Sequence, residues 1–194
     1  MEVPHHMARW REVAESAPEF AARVRESFES HKHKTIATLR KDGSPRVSGI
    51  EAYIVGDELW FGSMPGALKA RDLRRDPRFA LHGPPVLLDG ADATDATDAA
   101  DAADAADATG SAGSAGSAGS PGGDTKLSGY AVEVADRDRI APMLAARGLG
   151  PDAFSESHFF IADIREVVLT RIEGSVMVMD LWRPGQGVRR LQRV

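Results

Sequence analysis

The chain has no cysteine among its 194 residues. Disulfide staples, thiolate metal sites and cysteine nucleophiles are therefore excluded. No apolar run approaches the roughly 18 residues that a membrane-crossing helix needs. The opening MEVPHHMARW lacks the apolar centre of a secretion signal. A cytoplasmic chain without a membrane partner is the expectation. Also missing are a Ser-His-Asp order, a phosphate-cradling Walker loop and the Rossmann glycine fingerprint. His31 and His33 flank Lys32, but no nearby acid or further histidine completes a ligand set, and His5 and His6 read as a polar terminus. No metal site is expected.

Lysine and arginine are absent from 89–124, a segment that holds eight aspartates. That segment sets the net charge of −5, and the rest of the chain carries +3. A mildly basic body suits an anionic small molecule and is too weak a bias for nucleic acid. The segment itself repeats every three residues, first ADATDATDAADAADAADATG and then SAGSAGSAGSPGG. Regularly spaced aspartates repel one another and Gly/Ser tracts bury nothing, so neither half repays its ordering entropy. A disordered expansion of a strand-to-strand loop is expected. It costs the fold little, because closure entropy grows only logarithmically with length. An interaction tail is the alternative.

The informative stretch is 35–82. TIATLR alternates, and Asp42-Gly43 signals a type I′ hairpin to a second strand at 46–55. Gly56-Asp57 suits a II′ turn to a third strand at 58–62. Ser63-Met64-Pro65-Gly66 then breaks the strand. Residues 67–76 read as a helix with Leu68 and Leu73 facing inward, and 78–82 as strand four. A loop with a hydroxyl and a glycine thus feeds a helix start that carries Lys69, Arg71, Arg74 and Arg75. Free amides, a positive dipole end and a fixed cation make an anion site, with phosphate the natural guest. A merely solvated basic helix face is the competing explanation.

Three pieces of this stretch, ATLRKDGSPRV at 37–47, LWFGS at 59–63 and LKARDLRRDPR at 68–78, resemble the pyridoxamine 5′-phosphate oxidase-like flavin-binding split barrels, in particular actinobacterial flavin and deazaflavin oxidoreductases. With later strands included, the resemblance covers most of 30–88 and 126–194. It implies a mainly β fold, an antiparallel FMN-binding split barrel of Greek-key type with flanking helices and six to eight strands. It also implies FMN held by Ser63 and Lys69 at its phosphate. The backbone of Arg46, Val47, Ser48 and Gly49 would run along the isoalloxazine ring, with Arg46 near the phosphate or ring edge. Such proteins place the flavin between two subunits, so a homodimer is implied.

Around this stretch, 1–34 is expected to be a helical segment packing on the barrel, and 35–194 the barrel domain interrupted at about 89–124. Ser16-Ala17-Pro18-Glu19 matches a capping box for a helix whose Phe20, Val24 and Phe28 form one stripe, after a shorter helix with Trp10 and Val13. Residues 126–135 alternate as a partner for strand four, 140–147 read as a helix, and 159–164, 166–172 and 175–182 as strands. The tail LWRPGQGVRRLQRV has counterparts in the family's flavin- and substrate-contacting tail, on Trp182 and Arg193. Gln192 stands where the family has histidine, and Glu51 lies near the place of a substrate lysine. Both departures remove groups that would bind pyridoxal or pyridoxamine phosphate.

The resemblance therefore implies an FMN-dependent oxidoreductase acting on an unidentified small molecule rather than on vitamin B6. A reductase using the deazaflavin coenzyme F-420 is one alternative, with Arg71, Arg74 and Arg75 available for its longer tail. The other is a non-catalytic flavin or haem binder, in which His82 or His158 would have to ligate haem. No side chain stands out as catalytic.

Overall fold

The computed structural model describes residues 8–84 and 123–193. The repeats at 89–124 lie outside the described residues, apart from Gly123 and Asp124, and Asp124 already opens a strand. In chain order the elements are α1 (Trp10–Ser16), α2 (Pro18–Glu29), β1 (His33–Leu39), β2 (Pro45–Val55), β3 (Glu58–Ser63) and α3 (Leu68–Arg75). Then come β4 (Arg78–His82), β5 (Asp124–Val134), α4 (Arg137–Ala146), β6 (His158–Glu173), β7 (Val176–Arg183) and β8 (Gly187–Arg193).

The strands pair antiparallel throughout. β1, β2 and β3 form a meander, and β4 returns through α3 to the open side of β1, which is the Greek-key order. β5 and β6 follow, and the start of β6 pairs with β3 from Trp60↔Ile161 to Ser63↔His158. That seam closes a six-stranded barrel. The far half of the 16-residue β6 runs on beyond it to pair with β7, and β8 adds outside β7. The fold is a split barrel with flanking helices, as the sequence led us to expect.

Several local expectations need correction. Segments 159–164 and 166–172 are one strand, bulged at Arg165, because Ser128 pairs with Glu166 and Gly129 with Ile164. The bulge brings backbone against backbone: a Cβ on Gly129 would stand 2.0 Å from the Asp163 carbonyl oxygen. At the first hairpin only Gly43 has positive φ (84°), and its N–H donates to the Arg40 carbonyl. A type I turn followed by a left-handed glycine replaces the I′ turn, which needs positive φ at two residues. β8 was not anticipated; its arginine-rich sequence carries little strand signal.

Alternation along β2 sends Ile50, Ala52 and Ile54 into the barrel and Gly49, Glu51 and Tyr53 out. Ile36, Leu59, Phe61, Leu127, Phe160 and Ile164 join the interior cluster, as do Trp10, Val13, Phe20, Val24 and Phe28 from the two N-terminal helices. Each large apolar side chain buried there stabilises the fold by about 1.5–3 kcal/mol. The capping box does not form. Ser16 ends α1, with its hydroxyl donating to the Glu12 carbonyl at 2.6 Å, while Ala17 precedes Pro18 at the start of α2 without a side-chain cap. Leu68 is 54% exposed. Five residues of helix turn the direction by about 140°, so Leu68 and Leu73 cannot share one face, and Ala70 takes the inner place.

α4 packs outside the closing seam. Trp60, Phe159 and Ile161 point away from the barrel interior and bury against Ile140, Met143 and Leu144. Asp136 caps this helix by accepting from the Asp138 N–H at 3.0 Å. None of the helices among the described residues is long and apolar enough to cross a membrane.

Candidate functional site

The outward face of β2, the end of β3, the start of α3 and the end of α4 enclose a cleft of about 450 Å³. Three of the residues singled out in the sequence, Gly49, Ser63 and Lys69, line it together. Ser63 is placed by the barrel seam, as the last residue of β3 opposite His158. Its Oγ is buried and has no hydrogen-bond partner among the described residues. Lys69 sits in the first turn of α3, and its Nζ donates to the Gly49 carbonyl at 2.7 Å. Burial lowers the pKa of that ammonium. Gly49 leaves the strand bare: among the described residues nothing lies within 4 Å of where a Cβ would stand.

The remaining five lie elsewhere. Arg46 turns to the other side of β2, where its Nε donates to Asp72 Oδ2 at 2.7 Å. Asp72 also accepts from Thr38 Oγ1 at 3.1 Å and Arg75 Nη2 at 3.0 Å, so this group docks α3 on β1 and β2. Val47 is exposed, Ser48 is half-buried, and neither lines the cleft. Trp182 is fully buried in the interior cluster, with its Nε1 donating to Ser16 Oγ at 2.8 Å, so it has no surface for a ligand. Arg193 is exposed on β8 opposite Met177, away from the cleft lining. His82 and His158 are absent from that lining too; His82 Nδ1 lies 2.6 Å from the Gly83 carbonyl and His158 Nδ1 3.3 Å from Glu133.

The family model for pyridoxamine 5′-phosphate oxidase matches residues 20–148, more than half of the chain. The chain belongs to the pyridoxamine 5′-phosphate oxidase family. No curated protein matches it. Among solved structures it is similar to a pyridoxamine 5′-phosphate oxidase-related, FMN-binding protein from Nostoc punctiforme, at 10% identity and TM-score 0.55, over 92% of this chain and 96% of that one. PhzG from Burkholderia lata, solved with tetrahydrophenazine-1-carboxylic acid, is 13% identical with TM-score 0.52, over 91% of this chain and 87% of its own. A haem-binding protein from Mycobacterium smegmatis is 20% identical over 83% of this chain, with TM-score 0.49. The chain spans only 56% of that protein's length. At such identities the likeness speaks for the fold alone.

In this member of the pyridoxamine 5′-phosphate oxidase family, several cleft residues escaped sequence reading. Tyr53 follows Gly49 on the same strand face, beside Glu51, which the sequence marked only as standing near the place of a substrate lysine. Arg147 comes from the end of α4, with its guanidinium 3.8 Å above the Tyr53 ring and its Nη2 donating to Tyr53 Oη at 2.7 Å and Glu51 Oε2 at 3.1 Å. Tyr53 in turn donates to Glu51 Oε2, and Lys32 Nζ lies 2.7 Å from Glu51 Oε1. Burial alone would raise the Glu51 pKa, but the bonds from Lys32 and Tyr53 outweigh it and keep the carboxyl below its usual range. The Tyr53 phenol is pushed up, first by burial and then by its bond to Glu51. Phe154, at the mouth, has a left-handed backbone (φ 56°), alone among the described non-glycine residues. Trp60, Met143 and Phe159 supply an apolar wall.

Proposed function

We propose that the protein is a flavin-dependent oxidoreductase that holds FMN by its phosphate at the β3–α3 junction and passes hydride or electrons to a small molecule. The observation that carries this reading is the convergence of an unpartnered Ser63 hydroxyl, the Lys69 ammonium and the bare Gly49 backbone on one cleft. Hydroxyl and ammonium suit a phosphate monoester, and the Leu68 and Lys69 amides, which precede the first bonds from Ala70 and Arg71 to the Ala67 carbonyl, add donors. A bare strand suits the face of a flat ring.

Bound FMN supplies the redox chemistry. The chain's own residues bind and orient: Ser63 and Lys69 on the phosphate, Gly49 beneath the ring, and Trp60, Met143 and Phe159 excluding water. FMN is favoured over coenzyme F-420 because two of the three cations that would serve the longer tail are engaged, leaving only the exposed Arg71 for it. Arg74 makes a bidentate pair with Glu133, and Arg75 bonds Asp72 and the Leu39 carbonyl. A second copy of the chain would complete the open cleft. Met64 and Phe154 in its lining, and Val47 and Leu68 next to lining elements, leave apolar surface exposed.

Parallel titration of the flavin-free protein with FMN and with coenzyme F-420 tests the reading. Tight binding of FMN alone is expected, followed by reduction of the bound flavin when substrate candidates are screened. Preference for F-420 would replace the cofactor, and binding of neither would end the oxidoreductase reading.

A further inference from the structure

We propose that Glu51 is a specificity-determining residue that keeps anionic groups out of the α4 end of the cleft, so that the substrate presents an uncharged ring there. This rests on reading the cleft as the flavin site of the preceding section. Arg147 lines that end, with Lys32 and Lys34 beside it. Glu51 holds Arg147 and Lys32, while Lys34, 5.8 Å from the Tyr53 ring, donates to the His31 and Lys32 carbonyls. Glu51 Oε2 accepts from Arg147 at 3.1 Å and Glu51 Oε1 lies 2.7 Å from Lys32 Nζ. Tyr53 locks the carboxylate from the same strand, and Arg147 is stacked on the Tyr53 ring, only 20% exposed.

An arriving phosphate or carboxylate would have to take Arg147 from Glu51 and then stand beside the displaced carboxylate. Lost pairing and like-charge repulsion act in the same direction. The surrounding Trp60, Met143, Phe154 and Phe159 instead suit an apolar or aromatic ring. The remaining anion-binding end, at Ser63 and Lys69, is the one assigned to the cofactor. The family is named for a phosphorylated pyridine, and among the described lining residues the only lysine or arginine besides Lys69 is Arg147, already paired with Glu51.

The test uses the full chain loaded with FMN and follows binding of pyridoxine 5′-phosphate and of pyridoxine by calorimetry. Pyridoxine 5′-phosphate should bind wild type no better than about 1 mM. Glu51→Gln, which keeps the shape and removes the charge, should bind it at least about tenfold tighter, with pyridoxine unchanged. The double variant Glu51→Gln/Arg147→Gln should lose that gain. Equal affinity of wild type and Glu51→Gln for the phosphate ester, or a gain that survives in the double variant, would overturn the proposal. Melting temperatures identify a misfolded variant, in which case Glu51→Ala takes its place. If wild type fails to take up FMN, the flavin reading falls at that step. The same comparison in a Lys69→Ala background, where the other anion site is disabled, still decides the role of Glu51.

Discussion

Lys69 Nζ lies 2.7 Å from the carbonyl oxygen of Gly49, tying the first turn of α3 to the outward face of β2. One ammonium thus spans the place proposed for the phosphate and the strand proposed to carry the ring. Lys69→Ala should weaken FMN binding by about 1.5–3 kcal/mol, the worth of a charge-assisted contact. Its melting temperature should change little, because the side chain is half-buried and its one protein partner is a carbonyl. Fluorescence titration measures the first and calorimetry the second. Undiminished affinity would remove Lys69 from the site.

Two glycines separate ligand space from packing space. Gly49→Val adds a β-branched side chain where, among the described residues, nothing lies within 4 Å, so the fold should tolerate it while FMN affinity drops at least about tenfold from steric exclusion. Gly129→Ala puts a methyl 2.0 Å from the Asp163 carbonyl, and should destabilise by about 3 kcal/mol or more. Paired urea melts and FMN titrations should show opposite outcomes for the two. If Gly49→Val bound FMN normally, the ring would not lie on that strand.

Asp72 is 4% exposed and accepts from Arg46, Thr38 and Arg75. Burial acts to raise its pKa, but the three donors outweigh burial and hold it below the usual 3.8. A carboxylate with a depressed folded-state pKa contributes its stability above the unfolded-state value and loses it as pH falls through the folded-state value. Asp72→Asn should therefore cost about 3 kcal/mol at neutral pH, near the low end for breaking a buried pair because both arginines keep some water. The gap to wild type should narrow below about pH 4. Denaturant midpoints across that range decide it, and a gap independent of pH would exclude the charged pair as the cause.

Trp182 packs in the interior cluster and bonds Ser16 across the N-terminal helices. Trp182→Phe should lower stability by about 2 kcal/mol, from a cavity plus a lost hydrogen bond, with FMN affinity unchanged. A selective loss of FMN binding in a variant of normal stability would return Trp182 to the site.

The sequence by itself determined what depends on near neighbours. Alternation along 46–55, glycine at Gly43 and Gly56, and the break at 63–66 before a basic helix marked the meander and set Ser63 and Lys69 within one short junction. Family motifs then supplied the split barrel. The tertiary structure alone decided which side chains meet. Arg46 looked available for a phosphate, but strand register faces it toward Asp72, 26 residues on, and one residue of register decides the face of every strand side chain. Glu51 and Arg147 are 96 residues apart in the chain and become partners only because barrel closure at β3–β6 seats α4 beside β2. Trp182 matched a family tail motif, yet its burial follows from where α1 and α2 cover the barrel. Periodicity reports the local hydrophobic face, whereas a cleft is assembled from segments that only long-range pairing brings together.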